Sequence, residues 1–298
     1  MLPRAIPVRK QAGILEGFPV SLLTPLVGAA AKDRVVGPLV RPPLIIGHRG
    51  AAGEAPENTL RAFELALRQG ADGIEFDVHL SADGVPVVIH DPRLDRTTSG
   101  RGRVRDHSLA ALRKLDAGSW FNRRLAVKAR PRYAGLKIPT LSEVLIWARQ
   151  RHCLAYVEIK RARPAYAGIE AKVLEEIDRA GTRPLATVIS FDLPTLRRVR
   201  QLDSEIALGI DFTRPLLALR RALEVRSTML APHWAFASKR FIRRAHRAGI
   251  KVVVWDLDQA LWMRRKIADG VDGIITRYPA ELAKIVGREG GTGGTRDG

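Results

Sequence analysis

The sequence predicts a (β/α)8 barrel, a TIM barrel, with a small insertion in its second strand-to-helix loop. Three observations lead there. Short β-branched runs alternate with amphipathic stretches through most of the chain, the alternation counts out to eight pairs, and the 298 residues modestly exceed the roughly 250 that one such barrel needs. Strands alternating with helices form a parallel sheet with the helices packed outside.

The strands are expected at "PLIIGH" (43–48), "ADGIEFDV" (71–78), "LAYVEIK" (154–160), "ATVIS" (186–190), "EIALGI" (205–210), "STMLAP" (227–232), "IKVVVW" (250–255) and "DGIIT" (272–276). The first helix is read from Pro56 and Glu57 to Gly70, because proline opens helices and glycine closes them. Leu60, Phe63 and Leu67 recur along it at helical spacing. Further helices are expected over 140–150, 166–180, 193–201, 214–224, 238–248, 259–269 and 279–286. A ninth run, "VPVVIH" (85–90), follows the second strand after only "SADG" (81–84). A parallel crossover needs about a dozen residues, whereas Asp83-Gly84 is hairpin chemistry. Residues 78–90 are therefore expected to leave the barrel mouth and return antiparallel. The Arg-, Gly- and Pro-rich stretch at about 91–139 reads as the insertion.

The barrel is thus expected over 44–287, between an extension (1–43) and a Gly-rich tail (288–298) expected to be disordered. Arg4, Arg9 and Lys10 ahead of "FPVSLLTPLVGAAA" (18–31) leave two readings of the extension. It is a loosely docked segment of a cytoplasmic protein, or a signal that directs export. No run of about 18 apolar residues occurs, which argues against a spanning helix. The single cysteine, Cys153, excludes an internal disulfide. A net charge of +19 favours anionic substrates and peripheral contact with anionic membranes. Its arginines, in runs such as "LRRVRQ" (196–201) and "KRFIRRAHRAG" (239–249), read as solvated helix faces. No motif for specific nucleic-acid binding accompanies them.

Barrel sites form where strands end, and reactive residues concentrate there. Glu75 and Asp77, two apart on a strand, share a face. With Glu158 from the neighbouring strand they make a three-carboxylate cup for a hard cation, Mg2+ or Ca2+. The alternative is a carboxylate pair answered by nearby Arg or Lys. Convergence of His48, His90 and Arg49 on the same strand ends favours the metal. His48 and His90 are the acid–base candidates, since imidazole titrates near pH ~6.5; the hairpin count sets His90 roughly opposite Asp77. Arg49 and Lys160 are candidate phosphate contacts. Glu57, read in the first turn of a helix, is a candidate for orienting Arg49.

These residues resemble the glycerophosphodiester phosphodiesterase family. The likeness lies in "GHRG" (47–50), "PENT" (56–59), "EFD" (75–77), "HDPRLDRTT" (90–98), "PTLSEVL" (139–145), "VEIK" (157–160) and "GVDGIITRYP" (270–279). The resemblance implies a metal-dependent hydrolase that releases glycerol 3-phosphate and an alcohol from small glycerophosphodiesters. It implies His48 and His90 as the acid–base pair, Glu75, Asp77 and Glu158 as metal ligands, and Arg49 and Lys160 on the phosphate. Trp255 would pack on the glycerol or head group. A lysophospholipase D or phospholipase C-like enzyme on lysophospholipids is the alternative, with "GSWF" (118–121), Leu125 and Val127 as an apolar lip. Two departures stand out: Trp255-Asp256-Leu257-Asp258 replaces the family's Trp-Thr-Val-Asn, and Arg277 stands where an aspartate is frequent. An added arginine at the mouth would suit a more anionic or bulkier phosphodiester.

Overall fold

Eight parallel strands close on themselves in a computed structural model that describes residues 42–122, 133–214 and 216–288. The candidate signal segment, Leu125, Val127 and the tail beyond Arg288 lie outside the described residues. The strands are β1 (Leu44–His48), β2 (Gly73–Leu80), β4 (Leu154–Ile159), β5 (Ala186–Ser190), β6 (Ala207–Phe212), β7 (Met229–Pro232), β8 (Lys251–Val254) and β9 (Gly273–Thr276). Each pairs with the next, and β1 pairs with both β2 and β9, so the ring has no free edge. The ninth run is β3 (Pro86–Val88), antiparallel to β2 through a turn in which Gly84 adopts φ +74°.

The helices are α1 (Leu60–Arg68), the short α2 (Leu109–Leu112) and α3 (Ser119–Asn122), α4 (Leu141–Gln150), α5 (Ile169–Arg179), α6 (Leu193–Leu202), α7 (Ala218–Glu224), α8 (Lys239–Arg247), α9 (Ala260–Asp269) and α10 (Pro279–Ile285). No described helix is long and apolar enough to cross a membrane. Helix α1 starts later than Pro56 and Glu57 suggested. Thr59 caps it by accepting from Ala62 N, because the Asn58 side chain is committed elsewhere. Helix α4 opens with a reciprocal cap between Thr140 and Glu143.

Strand alternation divides the core in two. Ile74, Phe76 and Val78 of β2 point outward, into an apolar layer shared with Phe63, Leu145 and Val173. Ile46, Tyr156, Ile189, Met229 and Val253 fill the barrel interior. The segment between β3 and α4 has its own small core, with Ile89, Leu94, Val104 and Leu112. Trp120 and Phe121, expected in an apolar lip, are only 8% and 2% exposed and pack with Ala55, Ala62 and Tyr133. This described part of the lip is a core; aromatic side chains this large gain more from burial than from a solvated edge.

The turn after β1 is where this packing is least forgiving. Gly50 sits at φ +82°, and a Cβ there would lie 2.5 Å from the Ala62 carbonyl carbon. Gly249 has a similar φ of +72° with nothing within 4 Å. Gly249→Ala should cost only the left-handed conformation, about 1–2 kcal/mol. Gly50→Ala should cost more than that by at least about 1 kcal/mol, through overpacking. Urea unfolding of both variants checks it; equal losses would contradict the close approach.

Candidate active site

The barrel's C-terminal face gathers the residues singled out at the strand ends. Side-chain oxygens of Glu75, Asp77 and Glu158 all lie within 4.8 Å of one another, and the residues are 3%, 0% and 7% exposed. Register explains this: Asp77 of β2 is paired with Glu158 of β4. Lys160 Nζ lies 2.9 Å from Asp77 Oδ1 and 2.8 Å from Glu158 Oε2. The ion-pair alternative is thus present in part, since a lysine answers two of the acids.

The third acid is not so answered. Glu75 accepts a hydrogen bond from Arg49 N at 3.1 Å, yet burial, then Asp77 and Glu158, push its carboxyl well above the usual carboxylate range. Burial, only partly offset by Lys160, raises Glu158 to about 7. Burial would raise Asp77 too, but Lys160 and Arg49 outweigh it and hold it well below that range. Elevated carboxyls mark a site short of positive charge. The donor set is all oxygen, which fits a hard divalent cation.

Arg49 is placed by strain and by anions. It follows β1 at φ +54°, an uncommon conformation for a non-glycine residue. Its Nη1 donates to Glu57 Oε1 at 2.9 Å, and its Nε lies 3.3 Å from Asp77 Oδ2. Glu57 precedes α1 rather than opening it, and there it orients Arg49. The buried Nε of Arg49 has no hydrogen-bond partner among the described residues.

The two histidines line one cavity of about 160 Å³, with Arg49, Glu75, Glu158, Lys160 and Trp255. His48 Nε2 lies 3.8 Å from Glu75 Oε2, and Nδ1 lies 3.8 Å from Asp256 Oδ2. Burial, then Arg49, keep His48 well below the ordinary imidazole range. The hairpin places Ile89, not His90, against Asp77: Ile89 N donates to Asp77 O at 3.0 Å. His90 is the first residue freed from the ladder, which lets its ring turn into the cavity. Its Nδ1 meets Asp91 Oδ1 at 2.6 Å. Burial opposes the charge on Asp91, but hydrogen bonds from Arg96 and His90 outweigh it and bring the carboxyl to about 2. Arg96, from the insertion, also donates to both oxygens of Glu57, at 2.8 and 2.7 Å. A continuous charge chain therefore runs from Arg49 through Glu57, Arg96 and Asp91 to His90.

Four residues beyond those anticipated support the site. Asn58, left-handed at φ +58°, donates to Asp77 Oδ2 at 2.6 Å. Asp211 lines the cavity, 4% exposed, and its Oδ2 has no hydrogen-bond partner. An acid at a strand end was the signal used for Glu158, but ending the strand at Ile210 dropped Asp211 from view. Arg96 lies in the family-like stretch 90–98, which by itself assigns it no role. His79 follows the inward alternation of Glu75 and Asp77. Its Nε2 meets the His90 carbonyl at 3.0 Å and its Nδ1 meets Tyr166 Oη at 2.9 Å. A carbonyl only accepts, so Nε2 carries the proton and Tyr166 donates to Nδ1.

Arg277 departs from expectation. Its Nε lies 2.6 Å from Asp258 Oδ2 and its backbone N donates to Asp258 Oδ1 at 2.9 Å. The two departures from the family pattern thus compensate each other, and Arg277 is not an unanswered charge at the mouth. Asp256, the other new acid, lines the cavity beside His48. Trp255 also lines it, anchored by Nε1 donating to Ala231 O at 2.7 Å.

A model of the glycerophosphoryl diester phosphodiesterase family matches residues 48–281. The chain is 37% identical to a glycerophosphodiester phosphodiesterase of Caldanaerobacter subterraneus subsp. tengcongensis, across 83% of this chain and 99% of that one. It is 34% identical to one of Bacillus subtilis, across 89% and 92%. Among solved structures it resembles an Oleispira antarctica phosphodiesterase in complex with the product sn-glycerol-3-phosphate. The TM-score there is 0.76 at 30% identity, covering 82% of this chain and 97% of that one.

The neutral His79 ring has a thermodynamic consequence. Burial lowers it to about 4, against ~6.5 for an unfolded histidine. Between those values the unfolded chain takes up a proton that the native one refuses. Stability from this group is therefore complete above pH ~6.5 and is lost on acidification toward pH ~4, by up to roughly 3 kcal/mol. Urea unfolding of wild type and His79→Gln from pH 7.5 (about 1 unit above the free imidazole value) down to about 4 should show a shallower pH slope in the variant. Parallel curves would contradict a ring held neutral by burial.

Proposed function

The chain belongs to the glycerophosphoryl diester phosphodiesterase family and is a phosphoric diester hydrolase, and we propose that it splits small glycerophosphodiesters into glycerol 3-phosphate and an alcohol. The observation that carries this reading is the buried trio Glu75, Asp77 and Glu158, of which Glu75 and Glu158 line one cavity with two histidines and two cations. The product bound in the Oleispira antarctica neighbour supports glycerol 3-phosphate as the group retained.

Glu75, Asp77 and Glu158 would hold Mg2+ or Ca2+. When bound, such an ion supplies positive charge beside the phosphate and lowers the two raised carboxyls. Arg49 presents its guanidinium to the phosphate oxygens, and Lys160 adds a second positive charge from β4. Preorganised charge of this kind accounts for the largest share of the barrier reduction. His48, kept neutral by burial and by Arg49, accepts the proton of the attacking hydroxyl, which is water, or the substrate's own glycerol 2-hydroxyl forming a cyclic phosphate that water then opens to glycerol 3-phosphate. His90 delivers a proton to the leaving alkoxide. The ionised Asp91 on its Nδ1 stabilises the imidazolium this requires, against burial, which lowers His90 from the ordinary imidazole range. His79 and Tyr166 hold the His90 backbone so that the ring keeps its direction. Trp255 offers a flat apolar wall to the glycerol or head group.

Lipid substrates lose the support expected from residues 118–121, since Trp120 and Phe121 are core. Glycerophosphocholine and lysophosphatidylcholine assayed side by side should therefore show faster turnover of the soluble diester, to glycerol 3-phosphate and choline. A chelator should abolish turnover, and Mg2+ or Ca2+ should restore it. His48→Ala and His90→Ala should each lower kcat by at least about 10²-fold. Phosphocholine as the product, or full activity in either variant, would contradict the mechanism.

A further inference from the structure

We propose that the rim formed by the loops after β5, β6, β7 and β8 docks on an anionic lipid surface, with the active-site mouth facing it. Ten large hydrophobic side chains are exposed among the described residues, and six of them follow these four consecutive strands. They are Phe191 after β5, Leu216 and Leu217 after β6, Phe236 after β7, and Leu261 and Trp262 after β8. Parallel strands end on the same face of a barrel, so these six lie together around one half of the mouth. Leu216 and Leu261 are 77% and 74% exposed. The remaining four, Leu60, Ile146, Leu202 and Leu223, are scattered over different helices.

An aromatic series joins this rim to the cavity. Phe191 and Trp255 line the cavity and touch at 5.3 Å between ring centroids. His233 stands 5.2 Å from Trp255 and 5.6 Å from Trp234, which stacks 4.9 Å from the exposed Trp262. Exposed Trp, Phe and Leu clustered on one face mark an interaction surface rather than ordinary scatter.

Charge selects the partner. Lys239 and Arg240 open α8 beside Phe236, Arg214 precedes Leu216, and Arg163 follows β4; all four are exposed. No carboxylate lies within ion-pair distance of any of them among the described residues. Of the acids on this rim, Asp192 and Asp258 are already met by Arg161 and Arg277, and Asp256 faces His48 in the cavity. Basic side chains flanking exposed Trp and Leu fit an anionic bilayer, where cations meet head groups and apolar tips enter the acyl boundary. A second copy of the chain would bring like charges together.

Docking and turnover are read separately, so loss of one does not mimic loss of the other. Co-sedimentation of the full chain should show binding to vesicles of equal parts phosphatidylglycerol and phosphatidylcholine at physiological ionic strength, and little to phosphatidylcholine alone. Leu216→Asp with Leu261→Asp should lower the partition coefficient by about tenfold or more. Leu202→Asp with Leu223→Asp, the same charge change away from the rim, should leave it near wild type. Both doubles should hydrolyse soluble glycerophosphocholine at the wild-type rate if the phosphodiesterase reading holds. Brominated lipid should quench tryptophan fluorescence less in Trp262→Phe than in wild type. Equal loss of binding in the two doubles would reduce the effect to net charge. Retained binding in the rim double, or a wild-type dimer that this double splits, would also overturn the proposal.

Discussion

Four carboxyl groups less than a tenth exposed, Glu75, Asp77, Glu158 and Asp211, crowd one end of this barrel, and most of the local structure answers that fact. Removing an ionised carboxylate from water costs several kcal/mol even after relaxation. Repulsion among neighbours adds to it. Lys160 and Arg49 offset part of the charge. The rest shows as raised carboxyls on Glu75, Glu158 and Asp211, in each case chiefly through burial. The acids of this site thus carry more negative charge than its own cationic side chains balance.

The same demand shapes the backbone around it. Arg49 and Asn58 both adopt left-handed conformations, Asn58 donating to Asp77 and Arg49 setting its guanidinium beside it. Such strain persists where surrounding contacts over-determine it, and here Asn58 N also donates to Arg49 O at 3.1 Å. The insertion is tied in by the same currents of charge, since Arg96 bridges Glu57 and Asp91 and so connects the Arg49 turn to His90. Arg105, also in the insertion, stacks 4.4 Å from the Tyr166 ring and donates to Pro164 O at 2.7 Å. Through Tyr166 and His79 that contact reaches the His90 carbonyl. The insertion thus steadies one histidine from two sides.

How much of this was legible in the sequence depended on whether the signal was local. Eight strands announced themselves because alternation of runs is local, and Glu75 and Asp77 because a period of two needs no partner. The β2–β3 hairpin was readable from Asp83-Gly84. The position of His90 was misread by one residue, since a turn's register depends on which backbone groups pair. Helix α1 was started too early because Thr59 wins the cap only once Asn58 is drawn to Asp77, 19 positions away. Trp120 and Phe121 looked like a lip because burial against Tyr133 is a tertiary event. Arg277 looked like an unanswered charge for the same reason, its partner Asp258 lying 19 positions earlier.

Titration calorimetry of the full chain with Mg2+ and with Ca2+ asks most directly whether this end of the barrel is built around a cation. Wild type should bind one ion of at least one of these metals per chain, and Glu75→Gln, which keeps the shape but removes one negative charge, should bind too weakly to titrate. No heat from wild type with either metal, or a Glu75→Gln isotherm that overlays it, would mean that Lys160 and Arg49 alone satisfy the acids.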